Sequence, residues 1–324
     1  MKSFIKSVAA AAVMGVAMAS SAFAADPASC KAVRFADVGW TDIQVTTGAA
    51  SVILEALGYE PAVSTLSVPV TMASLKNKDI DVFLGNWMPS MTADIQAYLD
   101  DKSIEQVAAN LEGAGYGLVV PQYVADAGVK SLADLGANKD KFSGKIFGIE
   151  AGNDGNRIIQ TMIDDPKNNM KDFQLVESSE AGMLTEAEKA MKNNEWIIFL
   201  GWTPHPIMGE MKIAYLDGMG DSGFGAATVY TISRAGYSTE CPNVGALLKN
   251  LKFDLAMEGA MMDPVLKNGA DPKETAKAWL KANPDVVKPW LQGVTTLDGG
   301  DAAAAEIGRA SCRKECTSWC RSRW

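Results

Sequence analysis

Between residues 32 and 234 short apolar runs alternate with amphipathic ones, and this alternation constrains the fold more than any other feature of the chain. "AVRFADV" (32–38) reads as a strand and "IQVTTGAASVILEAL" (43–57) as a helix closed by Gly58. "AVSTLSV" is a strand, "VTMASLKNK" a short helix, and "DIDVFLG" (79–85) a strand. The scheme then repeats. "YGLVVP" (116–121), "KIFGIE" (145–150), "DFQLVE" and "EWIIFLG" (195–201) read as strands, with "NRIIQTMID" and "GMLTEAEKAMKNN" as helices between them. After "KIAYL" and a glycine-rich stretch, "AATVYTISR" is a further strand, and the remainder is helical. Strands interleaved with helices of this size imply parallel sheets with helices on their faces. Two rounds of the scheme predict two α/β lobes. Lobe one is expected from 25–112 and 223–308, and lobe two from 113–222. The chain would cross near Gly113–Gly117 and near 218–225, where glycines suit a hinge.

Both ends fall outside this pattern. Residues 1–24, "MKSFIKSVAAAAVMGVAMASSAFA", combine Lys2 and Lys6, a short apolar run and Ala22-Phe23-Ala24, the layout of a secretory signal with an A-x-A cut. The run is short of the ~18 apolar residues of a spanning helix. The mature protein is therefore expected to start at Ala25, outside the cytoplasm and without a lipid anchor. Residues 309–324 belong to a stretch with Cys312, Cys316 and Cys320 among five basic residues, unlike the chain before it. They read as a vector-derived tail; the alternative, a zinc knuckle, lacks a fourth ligand nearby.

Setting both ends aside lowers the formal net charge from −9 to −15. So acidic a body repels nucleic acid and anionic lipid and is compatible with a cationic ligand. Two cysteines remain, Cys30 and Cys241. In an oxidising compartment such a pair reads as a disulfide, which would place both regions in one lobe.

In open α/β sheets ligands bind outside the carboxyl ends of the strands. Trp40 and Asp42 follow the first strand in "DVGWTD", Trp87 the third in "FLGNWMP", Asn153 lies in "GNDGN" after "KIFGIE", and Trp202 follows "WIIFLG". Tyr116 begins a strand at the first crossing. One such tryptophan is ordinarily core; four aromatics at strand ends, spread over both lobes, point to a site. Electron-rich ring faces attract cations, and a quaternary ammonium, with no N–H to satisfy, matches an aromatic cage. Asp42 is also placed to cap the following helix, a role compatible with facing a cation.

Catalysis has little to stand on. His205 is the one histidine, set between two prolines in a structural or solvated role. Without it no Ser-His-Asp or Cys-His set can be built. "GNDGN" fits neither a dinucleotide fingerprint nor a P-loop, and no His/Cys cluster has metal spacing.

"FADVGWTD", "LSVPVTMASLKNKDIDVFLGNWMP", "GIEAGNDGNR", "VESSEAGMLTEAEKA" and "FLGWTPHP" together resemble the choline-binding periplasmic proteins of ABC importers, within the glycine-betaine-type substrate-binding family. The likeness runs from Cys30 to Asp301. It implies a type II periplasmic-binding-protein fold, two α/β lobes joined by a two-crossing hinge with the ligand cleft between them. It further implies a trimethylammonium box of Trp40, Trp87, Tyr116 and Trp202, polar contacts from Asp42 and Asn153, and a structural Cys30–Cys241 disulfide. The implied protein is a non-enzymatic, monomeric periplasmic receptor without cofactor or metal. It delivers choline to an ABC transporter permease, with acetylcholine, glycine betaine or carnitine as alternative ligands. Near Asp42 a betaine carboxylate would meet like charge, which favours choline. Arg157 is the one candidate to receive a carboxylate.

Overall fold

The computed structural model describes residues 25–305, so the expected leader (1–24) and tail (309–324) lie outside the described residues. Nine strands make one sheet: β1 (Ala32–Asp37), β2 (Glu60–Thr65), β3 (Val82–Met88), β4 (Ile104–Pro121), β5 (Lys145–Phe147), β6 (Gln174–Val176), β7 (Phe199–Thr203), β8 (Ile213–Tyr215) and β9 (Gly225–Arg234). Their order is β2-β1-β3-β9-β4-β7-β5-β6, with β8 pairing the end of β4.

That order is nearly symmetric about its middle. β2, β1 and β3 run parallel, and β6, β5 and β7 repeat the arrangement. A long antiparallel strand closes each trio on its inner side, β9 beside β3 and β4 beside β7. β4 and β9 pair with each other from Ile104↔Arg234 to Tyr116↔Gly225 and form the seam between the halves. The chain therefore crosses between halves along two hydrogen-bonded strands, and Gly113 to Gly117 lie inside β4 rather than in a loop.

Local sequence explains most of these elements. β1 and β3 are apolar and buried along most of their length, whereas the edge strand β2 is largely exposed. The helix Thr41–Ala56 is buried on almost every side. Its Gly48 lets the helix Pro272–Ala282 approach so closely that a Cβ there would lie 2.9 Å from the Lys273 backbone. The Cys30–Cys241 disulfide ties the segment before β1 to the start of the helix Pro242–Asn250, with Cα atoms 5.7 Å apart. Beside it the Asp26 carboxylate accepts from the Asn243 and Val244 N–H groups at 2.8 and 3.0 Å, filling the free donors of that helix start.

Candidate functional site

One pocket opens where the two halves meet. It is lined by Trp40, Asp42, Trp87, Tyr116, Ile149, Asp154 and Trp202, which close on a cavity of about 20 Å³.

The two tryptophan motifs occupy matching places in the two halves. Trp87 lies within β3 and Trp202 within β7, one step inside the strands rather than beyond their ends, and cis peptide bonds follow at Met88–Pro89 and Thr203–Pro204. "FLGNWMP" carries one residue more than "FLGWTP" before its proline-bounded turn. β3 absorbs it as a bulge: Phe83 pairs Ile232 while Asn86 pairs Tyr230, three steps against two. The bulge returns Trp87 to the face that Trp202 uses.

Tyr116 stands on the seam, paired with Trp202 on one side and Gly225 on the other. Its ring centroid lies 5.8 Å from that of Trp87 and 6.4 Å from that of Trp202, and Phe224 packs edge-on behind it at 5.1 Å. The Tyr116 hydroxyl donates to Asn153 Oδ1 at 3.2 Å. It fits there because residue 155 is glycine; a Cβ would lie 2.1 Å from the hydroxyl oxygen. The fourth aromatic, Trp40, precedes the helix Thr41–Ala56, and its indole N–H donates to Glu150 Oε1 at 2.9 Å.

Five of the six residues singled out as ligand contacts, Trp40, Asp42, Trp87, Tyr116 and Trp202, thus line one cavity. Asn153 sits behind it. Its side chain caps the helix Asp154–Asp164 by accepting from Asn156 N–H at 3.0 Å, and it holds the Tyr116 hydroxyl. The neighbouring Asp154 turns into the pocket instead. His205 is buried, not solvated: its ring stands edge-on to Trp202 at 4.8 Å, and Nε2 meets Glu180 Oε1 at 3.1 Å. Arg157 is already engaged, donating to Asp94 at 2.6 Å and to the Ser90 carbonyl at 2.9 Å.

The pocket is acidic. Asp42 is 1% exposed, its Oδ1 has no hydrogen-bond partner, and burial together with the charge of Glu180 pushes its pKa up to about 8. The N–H groups of Ile43 and of Asp42 itself, at the start of the helix, pull the other way without prevailing. Asp154 Oδ2 is likewise buried without a partner, and burial raises its pKa to about 6. Burial also raises Glu150 to about 7. Two carboxyl groups with unpartnered oxygens and four ring faces converge on one small space, an arrangement that suits a compact cation, which in turn favours the ionised carboxylates. Among the described residues no group of three or more His, Cys, Asp or Glu is arranged to hold a metal ion.

Residues 31–282 match the family described as the substrate binding domain of ABC-type glycine betaine transport systems. The chain belongs to this family. It is a family of transport receptors rather than enzymes, and solved structures agree. An ABC-transporter choline binding protein in complex with choline is 54% identical, with a TM-score of 0.84 over 86% of this chain and 98% of that one. A choline binding protein in an unliganded semi-closed conformation is 56% identical, with a TM-score of 0.78 over 86% of this chain and 97% of that one. More distant is the glycine betaine/carnitine transport binding protein GbuC of Listeria monocytogenes, 33% identical over 53% of this chain and 58% of that protein. This glycine betaine-type receptor thus has the type II periplasmic-binding-protein architecture anticipated above, with its pocket at the meeting of the two halves. No helix among the described residues is long and apolar enough to cross a membrane.

Proposed function

We propose that the chain captures choline in the aromatic box and delivers it to the permease of an ABC importer. Lobe one comprises 25–112 and 223–308, lobe two 113–222, and the pocket is the closed cleft between them. The observation that carries this reading is the convergence of Trp40, Trp87, Tyr116 and Trp202 on a space that also holds the unpartnered oxygen of Asp42. Each ring face contributes roughly 0.5–2 kcal/mol to holding a cation, so four supply several of the ~8 kcal/mol of micromolar binding. In this reading the trimethylammonium sits among the rings and the choline hydroxyl donates to Asp42, with Asn153 steadying Tyr116. The receptor works in the periplasm as a monomer.

Glycine betaine, carnitine or acetylcholine are the alternative ligands. Betaine and carnitine present a carboxylate, which would meet Asp42 and Asp154, and Arg157 is committed to Asp94. Like charges brought together at a recognition site cost several kcal/mol. Calorimetric titration of the ligand-stripped protein with choline and then betaine tests this: micromolar choline with far weaker betaine is expected, and the reverse order would refute the assignment of the polar end. Trp202→Ala should weaken choline by at least about tenfold while the protein stays folded; unchanged affinity would remove Trp202 from the site.

A further inference from the structure

Glu180 lies outside the pocket, yet it touches both halves behind it. It is the first residue of the helix Glu180–Lys192 in the proposed lobe two and is 5% exposed. Its Oε2 accepts from the Thr41 backbone N–H at 2.9 Å, and its Oε1 accepts from the Thr41 hydroxyl at 2.6 Å. Thr41 opens the helix that follows Trp40, so the carboxylate fills a free donor at a helix start in the opposite lobe. Oε1 also meets His205 Nε2, and His205 packs edge-on against Trp202. One carboxylate thereby links the residue next to Trp40 with the residue that backs Trp202.

We infer that Glu180 is a clasp that fastens the closed receptor: it positions the two tryptophans against each other and sets how slowly bound choline leaves. The inference rests on the choline reading above and deepens it.

The chemistry requires a carboxylate. His205 Nδ1 accepts from the Ile207 N–H at 3.2 Å, so its proton is on Nε2, which donates to Glu180. Glu180 thus faces three donors: Thr41 N–H, Thr41 O–H and His205 Nε2–H. A carboxylate accepts all three. Glutamine cannot, because in either orientation its NH₂ confronts the Thr41 N–H or the His205 N–H. With the lobes apart, glutamine would keep the His205 bond through its oxygen and lose nothing. Glu180→Gln therefore penalises closure specifically.

Removing one partner of a buried charge-assisted pair acts mainly on the dissociation rate. Stopped-flow tryptophan fluorescence with choline is the test, on wild type, Glu180→Gln and Thr41→Val. Glu180→Gln should raise the dissociation rate by about tenfold and Thr41→Val by several-fold, with association rates within about threefold of wild type. Small-angle scattering of the choline-saturated variants should show a larger radius of gyration than wild type. Thr41→Val keeps the carboxylate, its charge and its His205 bond, and it decides alone if Glu180→Gln does not fold. Dissociation rates within twofold of wild type in folded variants would overturn the clasp and leave Glu180 a helix cap. A loss confined to Glu180→Gln and to association would also overturn it, assigning Glu180 a purely electrostatic role. A wild type that ignores choline altogether refutes the choline reading and the clasp with it, whereas a choline-binding wild type beside unchanged variants refutes the clasp alone.

Discussion

Asp42 and Asp81 are buried to nearly the same degree, 1% and 2% exposed, at opposite ends of the same group of parallel strands. Asp81 immediately precedes β3, at the amino end, and is surrounded by donors. Arg34 gives it three hydrogen bonds at 2.7–2.9 Å and Arg234 one at 2.8 Å. Burial alone would raise the Asp81 pKa, but the hydrogen bonds from the two arginines outweigh it and hold the carboxyl below its ordinary value. Asp42 lies past the carboxyl end of β1 with one oxygen unpaired, and burial carries its pKa up to about 8. Two aspartates of equal burial thus have opposite chemistry. The paired one fastens β1 to β9, while the unpaired one retains an unused capacity to attract charge, which supports the place proposed for it beside the cation.

The largest effect is expected from Asp81→Asn. Breaking a buried pair strands its partners at a cost of about 3–5 kcal/mol, so the melting temperature should fall by roughly 10 °C while the folded fraction binds choline normally. A loss of affinity without a loss of stability would break the contrast. Next comes Asp42→Asn. Choline should bind at least about tenfold more weakly, and the ligand-free protein should melt no lower, because an unpaired carboxyl in an apolar site destabilises the fold. Calorimetry and a thermal scan on the same sample check both halves of that statement.

Acidity sharpens the comparison further. A carboxyl with a raised folded-state pKa contributes stability that is present below its unfolded value, near 4, and is lost as pH rises through the folded value. For Asp42 that loss extends to about pH 8 and for Asp154 to about pH 6. A bound cation favours the ionised forms, so choline affinity should climb several-fold between pH 6 and 8 with net proton release, and Asp42→Asn should flatten the profile. Asp81, shifted the other way, loses its contribution only in acid. A flat wild-type profile would show that Asp42 does not face the cation. The smallest effect belongs to Arg157→Gln. Its ion pair with Asp94 is 40% exposed on the arginine side and is worth about 1 kcal/mol at most, so choline affinity should shift less than about fivefold.

The repeated alternation of strand and helix and the two tryptophan motifs were legible in the chain because each is a local signal. The first half of β4 was not. "IEQVAANLEGAG" shows no clean alternation, since the strand crosses between halves with its exposure changing along its length and register shifts against β9. Glu180 was hidden for another reason. In "SSEAG" it reads as an acidic residue favoured at a helix start, and its burial depends on Thr41, 139 residues away. Asn153, expected as a polar contact to the ligand, caps the helix, and its neighbour Asp154 faces the cavity. Which of two adjacent polar residues turns inward is set by helix geometry, and residue type alone does not reveal it.

The disulfide also bears on how the molecule comes apart. Cys30 and Cys241 are 211 positions apart, and all nine strands lie between them. Together with the backbone they form a covalent ring enclosing both trios of parallel strands and the seam. A protease that cuts one exposed loop within the ring opens it without releasing a fragment, so the nicked receptor keeps its full mass until the cystine is reduced.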